Sequence, residues 1–298
     1  MSAVTADERS SSLEVLSWVD PIRFVAHLGF PNIDDWQKKL LLLPKDKKKV
    51  IIAAGRQIGK TECVSWISSM QAFMHPDSLI ICIAPSLRQS HEMMRRIKGH
   101  LRKLPIGIIK DSESSTELSN KSRILAVPSN TRTTRGFARC NLLIIDEMAY
   151  IEEEDYLGTR AFLATVPDAR LILLSTPHGS RGVFADIWKN SKEDWTRIRV
   201  TSEEVSRDTG RIDPDHLRDM RLASSPDWYK MEYLAEFIDS NEFSVFSREL
   251  VMRAIDPTLK AYTFDLDDDV ETFSADDDDD EEEEIKPRYH DGKMFTLD

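Results

Sequence analysis

The chain has 298 residues, room for one large domain with an appendage and for a core built without disulfides. It is 41% hydrophobic and 31% charged. No apolar run reaches the roughly 18–20 residues of a membrane helix. Met1–Ser12 is polar and lacks the basic-then-apolar pattern of a secretory leader. Three cysteines, Cys63, Cys82 and Cys140, lack metal-ligand spacing, which excludes a disulfide scaffold or zinc finger and favours a reducing compartment.

The net charge of −12 is unevenly spread. Residues 261–298 hold 16 acidic and 3 basic residues, and residues 1–260 hold 37 basic and 36 acidic. A near-neutral body thus carries an acidic tail, and the overall charge is no argument against nucleic-acid binding by the body.

In chain order, Ser2–Ser12 reads as a mobile arm. Leu13–Leu28 reads as helix, with Pro21 breaking it or starting a second helix. Asp34–Leu43 is a short helix with Asp34 as its cap. Val50–Ala54 fits a buried parallel strand, and Gly55–Thr61 a loop opening a helix to Met74. Leu79–Ala84 is a second buried strand, and Ser86–Leu104 an amphipathic helix. Glu117–Val127 suggests a hairpin turning near Asn120 and Lys121. Leu142–Ile145, Arg170–Ser175 and Thr196–Val200 are further strands. Ile212–Ala223 and Pro226–Phe237 are helices packed outside the sheet. Alternating strands and helices imply an α/β fold with a mostly parallel central sheet flanked by helices. The domain organisation is then an arm (1–12), a main domain with a C-terminal helical part (13–260), and an acidic tail (261–298) expected to be disordered.

Ala54-Gly55-Arg56-Gln57-Ile58-Gly59-Lys60-Thr61 follows a strand and opens a helix, the context of a phosphate-binding loop, with Ala54 where a first glycine is usual. Backbone N–H groups of the loop, Gly55 to Thr61, would cradle phosphates. Lys60 would reach the β- and γ-phosphates of ATP, and Thr61 would ligate Mg²⁺. Asp146-Glu147, at the end of a buried strand, supplies the matching acidic pair: Asp146 for Mg²⁺ and Glu147 as general base for water. Ser175 and Thr176 end the next strand, where carboxyl ends of parallel strands share one crevice. Gln37 has the donor and acceptor that suit an adenine edge, or is a solvent-facing glutamine.

Taken in order, these pieces resemble the ATPase domain of a large terminase subunit, the motor that packages DNA into tailed phages and related viruses. The carriers are Gly-Arg-Gln-Ile-Gly-Lys-Thr, Leu-Ile-Ile-Asp-Glu-Met-Ala, Leu-Leu-Ser-Thr-Pro, Ile83-Ala84-Pro85-Ser86 with Gln89, and the 117–128 hairpin followed by Thr134-Arg135-Gly136. The resemblance spans about residues 20 to 255. It implies a P-loop NTPase of the additional-strand, catalytic-glutamate type, with a Walker A loop (55–61) and a Walker B pair (Asp146, Glu147). It implies that Gln37 recognises adenine and that Arg56 acts as a switch toward the γ-phosphate. Ser175 and Thr176 would couple hydrolysis to movement. Arg135 or Arg139 would serve a neighbouring subunit in trans, the alternatives being contact with DNA phosphate or plain solvation. Expected partners are double-stranded DNA, further copies in a ring on a portal, a small terminase subunit and a nuclease carried elsewhere, with no membrane, in the host cytoplasm.

A complete large terminase also carries an RNase H-like nuclease domain. Tyr289–Asp298 is at most the start of one, so nuclease activity is not expected from this chain. Lys45 and Lys47–Lys49, and Arg95 to Lys103, offer basic patches for DNA or solvated surface. Two alternatives remain: a helicase-like ATPase fragment, and a non-hydrolysing interaction subunit whose acidic tail binds a basic partner.

Overall fold

The structure, a computed structural model, describes residues 19–129 and 137–238. These all fall in one unit, Met1–Met252. The expected arm, the acidic tail and Arg135 lie outside the described residues.

Eight strands form one sheet in the order β3-β4-β5-β2-β6-β7-β1-β8. They are β1 (Lys49–Ala54), β2 (Leu79–Ala84), β3 (Ile108–Ser112), β4 (Ser115–Leu118), β5 (Arg123–Pro128), β6 (Leu142–Asp146), β7 (Arg170–Ser175) and β8 (Thr196–Val200). Pairing is parallel from β5 through β8 and antiparallel along β3-β4-β5. The hairpin is present as β4–β5. It gains β3 as an outer strand, which its mostly exposed residues did not announce. Strand β7 lies between β1 and β6 and separates the phosphate-loop strand from the Asp146-Glu147 strand, which is the additional-strand arrangement expected.

The central strands are buried on both faces, so they read as continuous apolar runs. Their side chains still alternate between two cores. Val50, Ile52, Ile144 and Leu174 join one, and Ile51, Ile145 and Leu173 the other. The first core is covered by α1 (Pro21–His27), α2 (Asp35–Leu41), α3 (Lys60–Met74), α4 (Leu87–Leu101), α7 (Ser202–Thr209), α8 (Pro214–Ala223) and α9 (Pro226–Leu234). The second is covered by α5 (Glu153–Arg160), α6 (Val183–Asn190) and two short 3₁₀ turns, Met148–Tyr150 and Ala161–Leu163.

Local chemistry sets the helix starts. Pro21 is in the first turn of α1, and the Asp20 carboxylate accepts the Ile22 N–H at 2.8 Å, so the proline begins a helix. Ser86 caps α4, and Asp213 and Ser225 cap α8 and α9, each with proline following. Helix α3 is wrapped almost all round. Its Ser65, Ser68 and Ser69 hydroxyls return their protons to carbonyls one turn back, at 2.6, 2.8 and 2.8 Å, so polar residues sit inside without loss of hydrogen bonds. Cys63, Cys82 and Cys140 are all buried. Burial pushes the Cys63 thiol up strongly, and Cys82 and Cys140 to about 12.

Candidate functional site

The carboxyl ends of β1, β2, β6 and β7 open into one cavity of about 740 Å³. Arg56 to Glu62, Pro85, Gln89, Arg96, Glu147, Tyr150 and Thr176 line it. A crevice at the carboxyl ends of parallel strands is where such sheets bind ligands.

The loop between β1 and α3 alternates in handedness. Gln57 has φ 60° and Gly59 φ 83°, and such alternation turns successive N–H groups into one concavity that suits an anion. Lys60, in the first turn of α3, is 9% exposed. Its Nζ donates to the Gly55 carbonyl at 3.4 Å and lies 3.9 Å from Glu147 Oε1. The Thr61 hydroxyl donates to Asp146 Oδ2 at 2.9 Å, so loop and acidic pair meet directly.

Asp146 is buried, and its other oxygen accepts the Glu147 N–H at 3.0 Å. Burial first, then the neighbouring Glu147 charge, raises its pKa to about 6, against the opposing pull of Lys60 and Thr61. Glu147 takes the left-handed conformation, φ 49° and ψ 44°. For a residue with a side chain this costs about 1–3 kcal/mol and needs surroundings that enforce it. Ser175 is part of those surroundings. Its hydroxyl lies 3.3 Å from Glu147 Oε2, donates to the Thr176 carbonyl at 2.7 Å and accepts the Ala149 N–H at 3.2 Å.

The Thr61 hydroxyl and the Asp146 carboxylate are hard oxygen donors side by side, and the raised carboxyl marks a spot where added positive charge relieves repulsion. That set suits Mg²⁺, which takes one or two protein oxygens and completes its shell with water and phosphate. Among the described residues no group of three or more His, Cys, Asp or Glu side chains forms a self-sufficient metal cage.

Arg56 is turned to the rim. Its Nε donates to Glu232 Oε2 at 2.5 Å, and its guanidinium lies 5.6 Å from the Trp228 ring centre. The Glu232 side chain is only 7% exposed, so its charge depends on Arg56 for compensation. The bond to Glu232 raises the Arg56 pKa further.

Gln37 is buried and its amide oxygen accepts the Asp34 N–H at 2.9 Å. This is the return half of a capping box. Gln37 does not line the cavity, although a Cβ built on Gly59 would lie 3.1 Å from Gln37 Nε2. Arg139 is exposed with φ 61° and lies away from the cavity lining. The lysine patch is paired with acids: Lys47 with Asp194, Lys48 with Asp168, and Lys49 with Glu193. On α4, Arg95 and Arg96 pair with Glu92, and Lys98 and Arg102 with Asp111. Neither stretch is the bare positive surface its sequence suggests.

Several site residues had no motif to betray them. Glu62 follows Thr61 and receives His100 Nε2 at 3.0 Å and Arg96 at 2.6 Å. Burial alone would raise its carboxyl, but these two donors outweigh burial and hold it below the ordinary range. Ser202 donates to the Arg56 carbonyl at 2.8 Å, and the Glu232 carbonyl accepts the Arg56 N–H at 2.8 Å. Tyr150, at the cavity wall, packs against His178 with ring centres 4.7 Å apart. One readable signal existed: Thr201-x-x-Glu204 is a capping box, and it places Ser202 at the start of α7.

Comparison with known proteins agrees with this architecture. Residues 51–253 match the family described as terminase large subunit, T4likevirus-type, N-terminal. The large terminase ATPase domain of Thermus phage P74-26 superposes with a TM-score of 0.62 at 19% identity, covering 72% of this chain and 98% of that one. A large terminase from a thermophilic bacteriophage, in complex with ADP, gives 0.59 at 14% identity, covering 70% and 54%. The HK97 bacteriophage large terminase gives 0.57 at 15%, covering 69% and 51%. The chain thus spans about half the length of these last two. With a phosphate loop and an acidic pair on an additional-strand sheet, and a family match over most of its body, the chain belongs to the N-terminal domain family of terminase large subunits.

Proposed function

We propose that this chain hydrolyses ATP to drive double-stranded DNA into a viral procapsid, working as one of several copies in a ring on a portal, with a small terminase subunit, in the host cytoplasm. The observation that carries this reading is the meeting of Thr61 with Asp146 and of Lys60 with Glu147 at the carboxyl ends of β1 and β6. The thermophilic bacteriophage terminase bound to ADP, and the same protein bound to ATP-γ-S, support nucleotide as the ligand.

In this reading the loop amides and Lys60 bind the phosphates. Thr61 and Asp146 would hold Mg²⁺, which when bound would neutralise charge on the phosphates. Glu147, fixed by its strained backbone and by Ser175, accepts a proton from the attacking water. As a switch, Arg56 would exchange its bond to Glu232 on α9 for the γ-phosphate. Ser175 and Thr176 link the state of Glu147 to β7, and Arg135 or Arg139 serves the neighbouring copy or the DNA. Gln37 contributes to adenine recognition through the amide nitrogen beside Gly59.

The test is Mg²⁺-dependent ATP hydrolysis with and without double-stranded DNA, for the wild type and Glu147→Ala. Loss of a general base lowers turnover by about 10²–10⁴-fold. Stimulation of the wild type by DNA supports the motor. Turnover that survives in Glu147→Ala refutes the catalytic assignment. Tight ATP binding without turnover in the wild type points instead to a subunit that needs its ring or its nuclease partner.

A further inference from the structure

Resting on the phosphate-loop reading above, we infer that Arg211 is a positioning residue that presets the phosphate loop from behind. Arg211 follows Gly210 in the short link between α7 and α8. Its Nη2 donates to the Ile58 carbonyl at 2.7 Å and to the Asp34 carboxylate. Arg211 does not line the cavity, whereas Ile58 and Gly59 do. It therefore reaches the loop from outside the cavity lining.

The peptide joining Ile58 to Gly59 is planar and trans, so its C=O and N–H point in opposite directions. Holding the carbonyl toward Arg211 sends the Gly59 N–H the opposite way. Ser202 does the same two residues earlier: its hydroxyl holds the Arg56 carbonyl at 2.8 Å and so turns the Gln57 N–H away. Gln57 and Gly59 are the two left-handed residues of the loop. Both bonds come from the α7–α8 segment, 146 and 153 residues further along the chain. Without them the loop is free to rotate these peptides and present carbonyl oxygens, which repel phosphate.

Gly59 is required by its φ of 83°, and the Arg211 guanidinium lies close beside it. A Cβ on Gly59 would come within 3.1 Å of both Arg211 Nη1 and Gln37 Nε2, so the two side chains form a clasp over one face of Gly59. Asp34 completes the clasp. It is buried, starts α2, and accepts from Trp36 Nε1 at 3.3 Å as well as from Arg211. Arg211 thereby ties together the helix bearing Gln37, the phosphate loop and the α7–α8 link.

The alternative is that Arg211 only staples α2 to the α7–α8 link and contributes stability. Titration of the full chain with Mg²⁺-ADP and with Mg²⁺-pyrophosphate separates the two, because pyrophosphate meets the phosphate loop and no adenine site. Arg211→Ala should weaken both ligands alike, by about tenfold, and raise the KM for ATP more than it lowers kcat. Arg211→Lys, which restores one charged donor, should bring both affinities back to within about threefold of the wild type. Binding of both ligands by Arg211→Ala within about twofold of the wild type overturns the inference. So does an affinity loss that only tracks a lost cooperative melting transition and that lysine does not restore. A wild type that binds neither ligand overturns instead the phosphate-loop reading on which the inference rests.

Discussion

Asp146 shows how a side chain can be costly to the fold and still be kept. Its carboxylate is buried beside a second carboxylate, and its pKa rises from 3.8 to about 6. A raised folded-state pKa means that the protonated group serves stability best. That contribution is full below about 3.8 and is lost as pH rises through about 6. In the metal-free protein at pH 8, Asp146→Asn should therefore melt a few degrees higher than the wild type, on the order of 1–3 kcal/mol. The gap should close as pH falls through about 6. Thermal melts in chelator across that range check this, and a wild type more stable than the variant at pH 8 rejects it. The same comparison with saturating Mg²⁺-ADP should reverse in sign, since only the carboxylate binds the cation well. That Asp146 would lie beside the 55–61 loop was legible in the sequence, because both end buried strands of one parallel sheet, and its bond to Thr61 places it there. The Arg56–Glu232 pair and the Arg211–Ile58 bond were not, because their partners are 176 and 153 residues apart and no local pattern joins them.

Elements differ in how plainly their sequences declare them. Strands β1, β2, β6, β7 and β8 are apolar runs or clean alternations between turns, and they lie where the sequence reading places them. Strand β3 was missed because it is an edge with four of five residues exposed, only Ile108 packing against the core. Helices α5, α6 and α7, each of eight residues, were not read from the sequence. The docking of α7 and α9 against the end of β1 has its own test. A Cβ on Gly55 would lie 2.4 Å from Ser202 Oγ, 2.8 Å from Ser202 N and 2.7 Å from the Tyr233 carbonyl. Gly55→Ala should therefore push these helices off the loop and destabilise the protein by about 1–3 kcal/mol. Adding Ser202→Ala should not rescue it, because two of the three close atoms are backbone. Recovery of the melting temperature in the double variant would show that only the hydroxyl was in the way.

For the molecule as a whole, charge separates along the chain more sharply than hydrophobicity does. Removing residues 261–298 changes the formal charge from −12 to +1. The truncated chain should bind double-stranded DNA more tightly at low salt, with affinity falling as salt rises. Fluorescence anisotropy with a short duplex measures this, and equal affinity of the two forms at low salt excludes the tail as a competitor for the DNA site. The candidate basic patches are largely paired with acids, so the size of the gain reports how much positive field the body retains. The three buried cysteines have a practical consequence of another kind. A thiol reagent attacks a thiolate it can touch, and in the folded chain Cys63, Cys82 and Cys140 are neither ionised nor accessible. One cysteine placed on the surface, for instance at Leu222, which is 80% exposed on α8, becomes the single handle for a fluorophore or cross-linker, with no native residue to remove first.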